Sequence, residues 1–480
     1  MSADGTSWPD TSAGAEASQP VELLLTVSRD GPRTLGAQIE EQLRAAIRDG
    51  TLKPGARVPS TRDLARQLGV SRRIAVDAYA QLAAEGFLTL RQGARPHVSG
   101  AAAGDPGPAA AHEPVPAALR YDFRPSVPDV ASFPRAAWLR SLREAMGAIT
   151  DAELAYGDPR GIVALRSALA DYLGRVRGVV AEPVRVIVTC GYSQGLDILC
   201  HTLAARGAAR IAVEDPTYPE VRMVIARAGL EPVPVTVDAD GMRVDELART
   251  DADAVVLTPA HHHPTGVVLS GERRPALVAW LRERGAYAIE DDYDAEYRYD
   301  RAAVGALQGL DPEHVVYAGS ASKTLAPALR IGWMVVPPAL LDAVTADKLL
   351  ADMGTARIEQ HALADFLVRG ELDRHLRRMR TRYRARRDAL VAALADELPE
   401  AAVRGIAAGL HATVELPAGH DEEAIRAEAA RRRIALETMH GFRRGGGAPT
   451  LLLGYARTPE PAIRAGVREL AAAVAAARAD

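Results

Sequence analysis

The apolar positions change period along the chain, and the changes mark its parts. Leu35, Ile39, Leu43 and Ile47 stand four apart on one helical face, with Gly50 placed to close the helix. Pro54-Gly55 turns the chain. Ser60-Thr61-Arg62-Asp63 has the N-cap and third-position acid of a capping box, and it leads into a helix with Leu64 and Leu68 inward. Gly69-Val70 makes a sharp turn before Ser71, which caps a further helix exposing Arg72 and Arg73 and burying Ala75, Tyr79 and Leu82; Gly86 ends it. Two short helices about a glycine turn predict a helix-turn-helix. Residues 87–90 and 96–98 then read as strands joined by the basic turn Arg91-Gln92-Gly93-Ala94-Arg95, which suits a hairpin wing. From about residue 120 helical and strand periods alternate, as in an α/β domain. Predicted strands cover 184–189, 211–214, 254–259, 287–289 and 451–453. Predicted helices cover 162–173, with Leu165, Leu169 and Leu173 on one stripe, 195–204 and 374–395.

The stretches between these segments bound the domains. Residues 1–25 are rich in Ser, Ala, Gly, Asp and Pro and predict a disordered tail. Residues 26–99 form the helix-turn-helix head. Residues 100–119, dominated by Ala, Gly and Pro, predict a linker with reach but no core. Residues 120–480 form the body, with a larger part over about 150–345 and a smaller part over about 346–480. At 480 residues the chain exceeds one ordinary core, which agrees with this division.

Charge sharpens the division. The net charge of −4 conceals a head in which residues 21–100 carry twelve Arg or Lys against eight Asp or Glu, so the remainder sums to −8. A basic head on an acidic body points to a polyanion as the head's partner. The two cysteines, Cys190 and Cys200, have no metal spacing and suit a reducing cytoplasm. No run of roughly 18 apolar residues offers a membrane span, and the first 20 residues lack a signal pattern; a cytoplasmic, nucleoid-associated protein is expected.

Candidate chemistry centres on residues 317–333. Lys323 stands there among small and hydroxylated residues, and desolvation of its amine would leave a nucleophile able to form a Schiff base. Ser320, Ser322 and Arg330 could hold a phosphate dianion beside it; a solvated Ser/Lys loop is the alternative reading. The strand ending at Thr189 runs through Cys190-Gly191-Tyr192-Ser193 into a helix, an arrangement that offers backbone N–H groups to an anion. The strand ending at Ile289 runs into Glu290-Asp291-Asp292-Tyr293, placing carboxylates at the edge where α/β proteins hold ligands. His261-His262-His263 lacks helical His spacing or a nearby carboxylate, and no metal is expected.

The head resembles the GntR-family winged helix, whose P-S-x-R-x-L-A-x-x-L-G-V-S-R core spans Pro59–Arg72 and continues as A-x-x-x-L-x-x-E-G-x-L. That resemblance implies contacts to double-stranded operator DNA from Arg62, Ser71, Arg72 and Arg73, with Gln92 and Gly93 at the wing tip; arginine in a major groove reads guanine through paired hydrogen bonds. The body resembles fold-type I, class I aminotransferases through the S-x-S-K-(x6)-R run at Ser320–Arg330, which implies pyridoxal 5′-phosphate (PLP) as cofactor and Lys323 as its Schiff-base partner. Further segments of the same pattern imply phosphate contacts from Tyr192 and Ser193, a ring-stacking Tyr218, an Asp291 that ion-pairs with the pyridine nitrogen, and a Tyr293 bonded to the phenolic oxygen. His263 stands where the family's N-P-T-G loop has asparagine. Tyr156 of Y-x-x-x-x-G would reach the phosphate of a neighbouring subunit.

The combination, a winged helix-turn-helix head plus an α/β fold-type I aminotransferase-like body, resembles the MocR subfamily of transcription regulators. It implies a head-to-tail homodimer, PLP in each body, and DNA binding governed by PLP or by an amine or amino-acid effector. A working aminotransferase with an accessory head is the rival. Enzymes of that class carry an arginine for the substrate carboxylate where Leu452 stands here; Arg443 and Arg444 are candidate substitutes.

Overall fold

The computed structural model describes residues 25–91, 93–100, 118–299 and 304–477. Gln92, the tail and most of the linker lie outside the described residues. The chain divides into two compact units, residues 1–116 and 117–480.

In the first unit, α1 (Leu35–Arg48), α2 (Thr61–Leu68) and α3 (Arg72–Ala84) close over a core of Ile39, Leu43, Ile47, Leu64, Ala75, Tyr79 and Leu82. Ser60 Oγ accepts from Asp63 N at 3.2 Å and donates to its carboxylate at 2.6 Å, which sets the start of α2. Gly69 takes the left-handed conformation (φ 64°) that ends α2, and this lets Ser71 cap α3 two residues later. Tyr79 Oη donates to Pro59 O at 3.0 Å and ties α3 to the loop before α2. The wing is a short antiparallel pair, Leu88–Thr89 with His97–Val98.

In the second unit the described residues form an eight-stranded sheet. Its strands run in the spatial order Val186–Thr189, Gly332–Val335, Val315–Ser320, Tyr287–Asp291, Ala254–Leu257, Arg210–Asp215, Glu231–Asp238 and Gly241–Met242. From Val315–Ser320 to Glu231–Asp238 neighbouring strands are parallel, so their C-terminal ends share one edge. A four-stranded antiparallel sheet carries Ala402–Arg404, His411–Glu415, Thr450–Gly454 and Glu437–Thr438. The arm before the large part belongs with this smaller sheet's side: Tyr121–Asp122 pairs in parallel with Ile434–Ala435.

Three elements differ from expectation. The helix expected from Gly195 begins at Tyr192, because Gly191 (φ 83°) turns the chain at once. Residues 184–185 are a 3-10 turn rather than strand. Arg135–Ala148, absent from the predicted helices, is a helix packed against Arg357–Val368.

Behind the sheet edge lies an ion pair with both side chains 1% exposed: Arg177 Nε donates to Asp292 at 2.7 Å, and Tyr317 Oη donates to the same carboxylate at 2.7 Å. Burial disfavours the charged guanidinium, yet Asp292 and Tyr317 hold it above its ordinary range. Removing one member leaves the other buried and uncompensated. Asp292→Ala is expected to destabilise the body by about 3–5 kcal/mol in urea unfolding, whereas Asp245→Ala, at an exposed ion pair, should change it by less than about 1 kcal/mol.

Candidate functional site

The parallel edge opens into a cavity of about 650 Å³ lined by Tyr192, Ser193, Glu214, Tyr218, His263, Asp291, Tyr293, Ser320, Ser322, Lys323 and Arg330, with Arg124, Glu220, Arg426, Glu437 and Phe442 on its outer wall. Ten of the eleven residues named for the cofactor therefore meet in one place. The eleventh, Tyr156, is 84% exposed and lies outside the cavity.

Lys323 sits on the one-turn helix Ala321–Thr324, which follows the strand ending at Ser320. Burial pushes its ammonium below the ordinary lysine range, and Asp291 and Asp294 oppose that shift. Asp291 ends the strand Tyr287–Asp291; burial, reinforced by Asp292, raises its carboxyl well above the usual range, and Lys323 counteracts this. Alternation along the strand decides between the adjacent acids, since Asp291 faces the cavity while Asp292 turns away to Arg177.

The helix Tyr192–Ala205 starts at the cavity with no side chain capping it. Arg330, itself left-handed (φ 51°), donates to Cys190 O at 2.8 Å, and a Cβ on Gly191 would stand 3.0 Å from its guanidinium. Ser320 Oγ donates to Ser322 Oγ at 2.8 Å beside them. Free amide groups, two hydroxyls and a guanidinium make an anion cradle.

On the opposite side His263 packs edge-on to Tyr218, with centroids 5.8 Å apart, and burial holds its imidazole neutral. Its Nδ1 and the Tyr192 Oη are buried without a partner. Tyr293 Oη lies 3.0 Å from His261 Nδ1, which also lies 3.0 Å from Asp294; burial and then Asp294 raise the phenol's pKa. Gly409 (φ 81°) permits this packing, because a Cβ there would come within 2.2 Å of His261. Burial pushes Glu214 up to about 8 although Thr258 donates to it twice, at 2.9 and 2.8 Å.

In the head, Arg62, Ser71, Arg72, Arg73 and Gly93 are all exposed. Ser71 is the N-cap of α3, accepting from Ile74 N at 3.4 Å, and Arg72 and Arg73 occupy the first turn. Arg73 is only loosely paired, 3.8 Å from Asp77.

Residues 131–450 match the family described as aminotransferase class I and II, and residues 35–98 match the bacterial regulatory proteins of the gntR family. The chain is 32% identical over 458 residues to the HTH-type pyridoxine biosynthesis transcriptional regulator PdxR of Corynebacterium glutamicum, covering 94% of this chain and 99% of that protein. It is 35% identical over 391 residues to the probable rhizopine catabolism regulatory protein MocR of Rhizobium meliloti, covering 77% and 79%. The crystal structure of the multiple substrate aminotransferase from Thermococcus profundus aligns with a TM-score of 0.69 at 26% identity, over 75% of this chain and 92% of that one. The chain belongs to the MocR-type transcriptional regulators.

As in that family, a DNA-binding head is joined to an aminotransferase-type body. The candidate carboxylate contacts do not enter this MocR-type cavity. Arg443 is held by Glu422 at 2.7 Å and by Ala448 O at 3.0 Å, and Arg444 donates its backbone N–H to Asp215 at 3.1 Å; neither lines the cavity. Sequence reasoning missed Glu214, although it stands one residue from the end of a parallel strand whose C-terminal edge it shares with Asp291. It also missed Glu220, Arg426, Glu437 and Phe442, which carry no local motif.

The lowered pKa of Lys323 has a measurable consequence. Reaction of its neutral amine with an aldehyde should have a midpoint below the ordinary lysine value of about 10.4. Because Asp291 raises that pKa, Asp291→Asn should move the midpoint lower still; a pH series of borohydride-trapped adducts, read by mass spectrometry, measures both.

Proposed function

We propose that this DNA-binding regulator holds PLP in the body cavity and that the state of that site governs operator binding by the head. The observation that carries the reading is the convergence, around one desolvated lysine, of an uncapped helix N-terminus, a strand-end carboxylate and the partnerless Nδ1 of His263. These groups fit PLP. Tyr192, Ser193, Ser320, Ser322 and Arg330 would hold its phosphate, Asp291 its pyridine nitrogen, His263 and Tyr293 its phenolic oxygen, and Tyr218 its ring. When bound, PLP supplies an aldehyde for Lys323 to capture and an electron-withdrawing ring. Lys323 contributes a neutral amine because it is desolvated, and the Asp294–His261 pair orients the Tyr293 hydroxyl.

A head-to-tail homodimer completes the reading. Tyr156 cannot serve its own cavity, and Leu154, Leu350 and Met353 are exposed apolar residues of the same body, which suits a second copy of the chain. The partner's phosphate site would then receive Tyr156. An amine or PLP itself changes DNA binding only through different affinities for two arrangements of the dimer. In the head, Arg72 and Arg73 would enter the major groove, with Arg62, Ser71, Gln92 and Gly93 contacting the backbone or the wing's groove. Leu452, fully buried at the usual arginine position, disfavours a working aminotransferase and favours sensing.

PLP should give the purified protein a yellow band that Lys323→Ala abolishes. Arg72→Ala should keep the band and weaken binding to the DNA upstream of the protein's own gene by about 1–3 kcal/mol. Absorbance and gel-shift titrations measure the two. A protein that stays colourless with PLP and gains no mass after borohydride overturns the cofactor; steady transamination of a common amino-acid and keto-acid pair overturns sensing in favour of the enzyme.

A further inference from the structure

The outer wall of the cavity differs in chemistry from the cradle around Lys323, and the difference bears on what else can enter. Leu452, on the strand Thr450–Gly454, packs with Met439 and Phe442 in a separate buried cluster, and Phe442 lines the cavity. A carboxylate brought against Phe442, which Leu452 and Met439 back, would lose its hydration and gain no donor from that apolar face. The guanidinium groups that line the cavity are already engaged. Arg124 makes two hydrogen bonds to Asp122, at 2.9 and 2.7 Å, and Arg426 makes its closest to Glu423 at 2.6 Å. Arg330 belongs to the anion cradle at the other end.

The remaining charges on that wall are negative. Glu220, Glu423 and Glu437 all line the cavity. Burial holds Glu437 above the usual carboxylate range, Glu220 and Glu423 add to the shift, and the cations that oppose it are Arg426 and Arg124, both already bonded to other carboxylates. Glu423 is neutralised by Arg426, so a further anion would meet repulsion from Glu220 and Glu437, whereas an uncharged or cationic group would not.

Resting on the cofactor reading above, we propose that the ligand accepted beside PLP is a primary amine without an α-carboxylate, and that Leu452 and Glu437 set this preference. The amine must be primary, because its nitrogen forms the carbon–nitrogen double bond that Lys323 gives up. Two protons pass from the incoming nitrogen to Lys323, which leaves as the free amine, and nothing is oxidised or reduced.

Butylamine and norvaline differ only by the carboxylate and serve as probes. They are titrated into the PLP-loaded full-length protein while its visible spectrum is followed, and concentrations are expressed as unprotonated amine because the two nitrogens differ in basicity. Butylamine is expected to half-saturate the spectral change at least tenfold below norvaline. Leu452→Arg, which introduces a guanidinium behind Phe442, should reduce that ratio at least tenfold; should this variant fail to fold, Glu437→Gln should reduce it by about threefold, in line with loss of one partly screened charge. Norvaline acting as well as butylamine, neither amine acting, or a ratio unchanged in both variants overturns the inference while the band itself leaves the cofactor reading standing. Absence of any band on adding PLP is the separate failure of that reading, and it removes this inference with it.

Discussion

Everything at the cavity depends on one balance: a lysine amine taken out of water beside carboxylates that are also taken out of water. Desolvation drives Lys323 towards its neutral form and Asp291 towards its protonated form, and each group partly restores the charge of the other. The parallel strands make that balance possible. Their shared C-terminal edge brings Asp291, Glu214 and the turn after Ser320 to one place while the hydrophobic strands behind exclude water. The second layer, with Arg177 neutralising Asp292 and Asp294 engaging His261, keeps the neighbouring acids from adding their full charge to the cavity.

A body of this kind is suited to reporting occupancy. Its anion cradle uses backbone amides and short hydroxyls that need little rearrangement. Its outer wall, by contrast, presents Phe442, which packs on buried Leu452 and Met439. The head is independent in its construction: its core is closed by its own helices and wing, and its exposed arginines are held out by capped helix termini rather than by packing. Such a division lets DNA recognition by the head and the chemistry of the body's cavity be tuned by different residues.

Much of both units was legible because it is local. The four-residue spacing from Leu35 to Ile47, the caps at Ser60 and Ser71 and the turn at Gly69 are short-range physics, and the structure follows them. The strand-end rule brought Asp291 forward for the same reason. It was not applied to Glu214, where Asp215-Pro216 drew attention to the turn instead. The early start of the helix at Tyr192 was hidden because a left-handed glycine can begin a helix as readily as it can prolong a loop. Arg443 and Arg444 looked available as a carboxylate clamp, since nothing near them in the chain shows that Glu422 and Asp215 stand beside them.

By itself the sequence determined many of the helices and strands, that a head precedes an α/β body, and which side chains are candidates for the reactive chemistry, since these follow from periodicity, capping and residue type within a few positions. Only the tertiary structure decided which of those side chains share a cavity, that Asp292 turns away while Asp291 turns in, and that the outer wall carries Phe442, backed by Leu452, and three glutamates. Those outcomes depend on which face a strand presents and on contacts between residues far apart in the chain, for which no local pattern exists.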